Sequence, residues 1–176
     1  GYMTSAITDY SYSEGYRTYS KGGHSEGTST SALSVNSHSE GKLTQAIGGA
    51  AHSEGLSTFA SQPGAHAEGF QSSASSQGAH SEGSFTIANN TAAHAEGNSC
   101  LAEGEYSHSE GSLNTVSGQS SHAEGSSNRV SGSCSHAEGF NNVIGSSFKY
   151  AHVEGSYNIV SGDNQHIMGT YNKPMT

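Results

Sequence analysis

The sequence has no tryptophan, and apolar residues make up only 31% of its 176 positions, against about 45–50% in ordinary globular domains. That shortage excludes a conventional compact core, because so little apolar surface cannot offset the conformational entropy of ordering the chain. There are two cysteines, Cys100 and Cys134. They occupy different positions of the repeat described below, two to three units apart. With neighbouring strands about 4.8 Å apart, they lie too far from each other for a disulfide. No apolar run is long enough to span a membrane, and no signal peptide is recognisable. The chain reads as one repeat domain over 1–176, excised from something longer. Lysine and arginine number only six, so there is no basic face for nucleic acid.

What the chain has instead is a tetrapeptide, His-Ser-Glu-Gly or His-Ala-Glu-Gly. It starts at His24, His38, His52, His66, His80, His94, His108, His122 and His136, at a constant spacing of 14 residues. A valine version starts at His152. Degenerate copies read Tyr12-Ser13-Glu14-Gly15 and His166-Ile167-Met168-Gly169. The first step is 12 residues and the step into His152 is 16. All 11 histidines occupy the first position of the motif. Low hydrophobicity with abundant Ser and Gly is the usual signature of disorder, but a strict period with fixed columns argues for an axial repeat architecture.

Counting the motif His as position zero, Gly stands at +3 in every copy. A small or β-branched column follows at +8, from Ala6 and Ser20 to Ile144 and Val160. Position +6 is Thr in the first half (Thr18, Thr30, Thr44, Thr58, Thr86) and Asn in the second (Asn114, Asn128, Asn142, Asn158, Asn172). The repeats run over about 4–172. Each unit divides into two sevens, too short for helices and suited to a strand of about five residues with a tight turn. Two strands make one coil, and about 12 coils stacked at 4.8 Å make a rod of roughly 55–60 Å. The Gly at +3 is expected in the turn, where positive φ or close backbone approach is needed. The long step is expected to be a two-residue bulge around Ser146–Tyr150.

Alternation of side chains assigns the faces. The small columns at +1 and +8 face each other inside a thin coil. The jumbled positions +7 and +9 form an outer wall. His and Glu, at 0 and +2, point away from the core. A surface this monotonous is expected to pack against copies of itself. The charge of −9 has the same origin: 11 of the 13 glutamates are in the motif, while the other acids (Asp9, Glu103, Glu105 and Asp163) face six basic residues.

These repeats resemble the left-handed parallel β-roll of trimeric autotransporter adhesin heads. Ser121-His122-Ala123-Glu124-Gly125 aligns with the head-repeat strand of that family, whose two axis-facing aliphatic positions become His and Glu here. The Ser-His-Ala-Glu-Gly form is similar to repeats in phage and prophage tail-fibre proteins. The run from Val160 to Asn172 resembles the stretch that precedes a self-cleaving intramolecular chaperone in such proteins. The resemblance implies an all-β, left-handed parallel β-roll assembled as a homotrimer. It implies a shaft or host-receptor-binding segment of a tail fibre, outside the cell on the virion tail, with a bacterial surface receptor or cell-wall glycan as partner. The alternatives are the head of a bacterial surface adhesin and a polysaccharide-degrading tail spike.

The trimer axis is then a column of His24 and Glu26, His38 and Glu40, His52 and Glu54, His66 and Glu68, His80 and Glu82, His94 and Glu96, His108 and Glu110, His122 and Glu124, His136 and Glu138, and His152 and Glu154. Paired across chains, these groups satisfy one another; unpaired and buried, each costs about 1–3 kcal/mol. A structural role is preferred and no cofactor is called for, with ordered water, anions or adventitious metal filling any gaps. The pairs from His38 and Glu40 to His136 and Glu138 are the candidate metal ligands, since imidazole and carboxylate suit transition metals. So many sites in a row would be unusual for a dedicated metal centre. Catalysis is not expected: there is no nucleophile motif and no unique cleft residue. Of the outer-wall carboxylates a glycan-cleaving site would use, only Glu103 is expected on the strand, with Glu105 just beyond it. Tyr12, Val153, Ile167 and Met168 are expected to close the column with apolar groups at its ends. Pro174 is expected to stop the roll. The aromatics and aliphatics at turns and on the outer wall (Phe59, Phe70, Phe85, Leu101, Phe140, Phe148, Tyr157) are expected to pack between neighbouring coils or chains, the alternative being a cell-wall carbohydrate or receptor contact.

Overall fold

The computed structural model describes residues 1–173; Pro174, and with it the expected stop, lies outside the described residues. The chain is an all-β parallel solenoid of about twelve turns. One face is a 12-stranded parallel sheet and the other an 11-stranded one. The first is built from the motif strands, five residues each, such as His66–Phe70 and His80–Ser84. The second is built from two-residue strands, such as Ser73–Ala74 and Ile87–Ala88. The two halves of a coil are therefore unequal, although backbone ladder bonds flank each short strand: Ser73 N–H donates to Thr86 O and Ser75 N–H to Ala88 O, both at 2.9 Å.

The register is fully periodic. His66 pairs with His80, Glu68 with Glu82 and Gly69 with Gly83. It survives both irregular steps, because Tyr12 still pairs with His24 and His136 with His152. The extra residues of the long step leave the ladder as a turn at Ser146–Ser147 and place Phe148 against the core.

The motif glycine does not sit in a turn. It is the fourth residue of its strand, with φ between 94° and 117°. A Cβ on Gly83 would lie 2.2 Å from the carbonyl oxygen of Gly97, one coil on. The same clash recurs from Gly15 to Gly155, at 2.0–2.3 Å. Close approach of stacked backbones, together with positive φ, requires glycine here. The turn itself falls two residues later, at +5. Arg17, Ser29, Leu43, Gln71 and Phe85 adopt left-handed φ of 52–60° there without being glycine. That conformation costs an L-residue roughly 1–2 kcal/mol. A hydrogen bond to the preceding coil offsets it, as where Leu43 N–H donates to Thr28 O at 2.9 Å.

The +1 and +8 columns are buried as expected: Ala67, Ser81, Ala95, Ala74, Ala88, Val116 and Val130 are all 0% exposed. Two further columns are buried as well: the +6 Thr/Asn column, and the residue before each motif His (Ala51, Ala65, Ala79, Ala93). The +6 column explains the Thr-to-Asn change along the chain. Where +6 is Thr, +1 is Ser, and the two hydroxyls bond across the core: Ser25–Thr30 at 2.7 Å, Ser39–Thr44 at 2.8 Å, Ser81–Thr86 at 2.9 Å. Where +6 is Asn, the side chain bonds along the rod instead. Asn128 Oδ1 accepts from Asn142 N–H at 2.9 Å, and its Nδ2 donates to Glu124 O at 2.7 Å and Gly139 O at 2.9 Å. Freed of a hydroxyl partner, +1 becomes Ala or Val at Ala123, Ala137 and Val153, while Ser109 donates to the Asn114 carbonyl at 3.2 Å instead. The +8 column enlarges to Val116, Val130, Ile144 and Val160, forming one continuous apolar cluster.

Candidate functional site

The motif strands are pleated with +1 buried, so the side chains at 0 and +2 project from the same outer face. Parallel in-register pairing then superimposes like on like. The 11 imidazoles from His24 to His166 form one unbroken stack, with adjacent ring centroids 4.5–4.9 Å apart. From His66 onward neighbouring ring planes lie within 15° of parallel. The Tyr12 ring extends the stack edge-on against His24, and its hydroxyl donates to Glu14. That bond, and the negative charge of Glu14 and Glu26, raise the Tyr12 pKa above its usual value.

Beside the imidazoles runs the carboxylate column. From His24 to His108, Nε2 lies 3.3–3.8 Å from Oε2 of the Glu two residues on. Only His38 and His52 turn this contact into a hydrogen bond, both at 3.3 Å. The side chains are half-exposed, at 32–39% for His and 38–50% for Glu. Even so, Nε2 is buried without a hydrogen-bond partner in His24, His66, His80, His94, His108, His122, His136 and His152. Stacking hides the nitrogen from water while leaving the ring edge open. Burial is also the largest cause of a lowered pKa at His80, His108 and His136, followed by the charge of the adjacent histidines; the nearby glutamates oppose both.

Further along the rod the arrangement changes. Ligand atoms of His94, Glu96 and His108 come within 4.8 Å of one another, and so do those of His108/Glu110/His122, His122/Glu124/His136, His136/Glu138/His152 and His152/Glu154/His166. The candidate metal ligands therefore divide. Those from His94 to Glu138 are gathered into sets with the next coil's histidine, while His38 to Glu82 are not. His152, Glu154 and His166 join the sets, although sequence reasoning had not named them as ligands. The signal was the register itself, which places a His one coil beyond every Glu.

The chain matches no known protein family and no characterised protein.

The remaining features lie around the column. Cys100 is buried, Cys134 is exposed, and both are free thiols. Phe70 packs edge-on against Phe85 at 5.1 Å and Phe140 against Tyr157 at 5.2 Å, each in the next coil, while Tyr157 stacks on Tyr171 at 4.8 Å. Glu103 lies just beyond the strand Leu101–Ala102 rather than on it, and Glu105 accepts a hydrogen bond from Gln119. At the C-terminal end Ile167 packs on the core, whereas Met168 is 63% exposed.

Proposed function

We propose that this solenoid is a shaft or host-receptor-binding segment of a phage or prophage tail fibre, made of three copies whose His/Glu columns meet along a common axis in a left-handed roll. In this reading it is a non-enzymatic part of the virion tail, outside the cell, whose partner is a bacterial surface receptor or wall glycan. The observation that carries it is the contrast between two outward faces. The His/Glu face is uniform from His24 to Glu154 and holds buried nitrogens without partners, while the outer wall varies freely (Phe59, Ile87, Arg129). Nothing in the ladder of one chain demands that uniformity. An interface between identical chains does, because each layer must meet its own copy. The thin core points the same way. Its largest fully buried side chains are Ile144 and a few valines, so association supplies burial that the single coil lacks.

The test is the solution mass by light scattering at pH 7.5 and at pH 4. A mass of three chains of 18.0 kDa at neutral pH, lost at pH 4, is the expected result and points to Glu pairing with His across chains. A stable monomer at neutral pH overturns the trimer. Flanking sequence separates the tail fibre, with a self-cleaving chaperone domain, from an adhesin head, with a membrane β-barrel anchor.

A further inference from the structure

The C-terminal half of the column has the composition of a metal site. The sets from His94 to His166 each offer two imidazoles and one carboxylate, with ligand atoms within 4.8 Å of one another. Nε2 of His94, His108, His122, His136 and His152 is buried without a hydrogen-bond partner, so each is a nitrogen that a metal ion can take up in its neutral form. Among the described residues, no lysine or arginine lies within 4.0 Å of a carboxylate. A row of glutamates about 4.8 Å apart therefore lacks a fixed counter-charge. A cation that accepts nitrogen and oxygen donors answers both deficits.

The geometry points to binding of borderline divalent transition ions, zinc being the type case, by the His-Glu-His sets between His94 and His166. Nitrogen and carboxylate donors in a two-to-one ratio, with no thiolate, suit such ions better than calcium or magnesium, which take oxygen ligands. Zinc bonds of about 2.0–2.1 Å hold two donors at most about 4.2 Å apart, so the sets close by several tenths of an ångström through rotation of the rings. Adjacent sets share a histidine, which limits the load. If each ring binds one ion, the sets that fill together are His94/Glu96/His108, His122/Glu124/His136 and His152/Glu154/His166, which is three ions per chain. Alternate filling also keeps the ions about 10 Å apart, two strand spacings. Three protein ligands leave a fourth position open to water or to a donor from another molecule. The inference stands on the single chain and does not require the trimer.

The test is a zinc chloride titration of the full chain, purified without an immobilised metal column and stripped with a chelator, followed by calorimetry at pH 7.5. Saturation near three ions per chain is expected from the three non-overlapping sets. His122→Gln breaks two sets and leaves two that fill together, so its stoichiometry falls to two. Combining His94→Gln, His122→Gln and His152→Gln removes a nitrogen from all five sets and should weaken binding tenfold or more. His24→Gln with His38→Gln and His52→Gln lies outside the sets and should leave binding unchanged. The cobalt-loaded wild type, which depends on no variant folding, should show visible d–d bands without thiolate charge transfer, clearing Cys100 and Cys134. The inference is overturned by absence of saturable zinc uptake, by equal loss in both triple variants, or by a thiolate signature. Light scattering on the same samples reads the trimer separately: a monomer that binds three zinc ions sustains this inference and removes the other.

Discussion

His122 and His136 lie face to face, their ring centroids 4.7 Å apart and their planes within 3°, although 14 residues separate them in the chain. Burial lowers the pKa of His136, and the charge of His122 at that separation lowers it further.

Acid should therefore destabilise the rod. His80, His108 and His136 have folded-state pKa values lowered from the ordinary 6.5. Protons bind the unfolded chain first, so stability is full above about pH 6.5 and is lost as pH falls through the lowered values. His80 is stacked between His66 and His94; burial first and then the charge of His94 lower its pKa, while Glu82, Glu68 and Glu96 raise it. The melting temperature should be lower at pH 5 than at pH 7.5, and His108→Gln should reduce the difference. A melting temperature that rises toward pH 5 would show glutamate pairing to dominate instead.

Gly83→Ala should be among the most damaging single changes in the molecule. Its Cβ would meet Gly97 O at 2.2 Å, and the backbone would have to hold φ at 112°. Separation of two coils affects both ladders, so a loss of more than about 4 kcal/mol is expected. Gly78→Ala is the control: φ is 63° and nothing lies within 4 Å, so only the left-handed cost of about 1–2 kcal/mol applies. Denaturant unfolding of the two variants side by side decides it.

Asn128→Ala should cost several kcal/mol. It strands the Glu124 and Gly139 carbonyls and the Asn142 N–H, and each unpaired buried group costs about 1–3 kcal/mol. Asn128→Thr alone should be nearly as harmful. Combined with Ala123→Ser, it recreates the hydroxyl pair seen at Ser39 and Thr44 and should recover part of the loss. Thermal melts of the two single variants and the double variant give the coupling; strict additivity would refute the pairing argument.

Met168→Glu separates the single chain from the assembly. Met168 is 63% exposed on one chain, so a carboxylate there costs a monomer almost nothing. If three columns meet at its level, the same change should lower the melting temperature measurably. An unchanged melting curve would count against an apolar closure of the column.

Much of this molecule is legible in its sequence. In a parallel in-register ladder, residue n stacks on residue n + 14, so the sequence period and the structural period are one quantity. Side chains alternate across a strand, so the burial of Ser81 and Ala67 and the outward turn of His80 and Glu82 follow from position alone. The turns were not legible. Glycine usually marks positive φ, but here the left-handed turn holds Arg17, Leu43 or Phe85, because a backbone bond from the neighbouring coil offsets the strain. The buried +6 column was visible as a Thr-to-Asn change but not as a change of hydrogen-bond direction.

The sequence by itself determined the solenoid, its register and the chemistry of its uniform face, since each of these depends on residue type repeated at a fixed interval. The tertiary structure decided what depends on the distance between coils. Stacked backbones come so close that a Cβ at Gly83 would touch the next coil. Imidazoles at van der Waals separation bury their own nitrogens. Identical motifs also diverge along the rod: Glu54 leans on its own His52, while Glu124 sits between His122 and His136. The local sequence at those two positions is nearly the same, so the difference arises in how each coil settles on its neighbour.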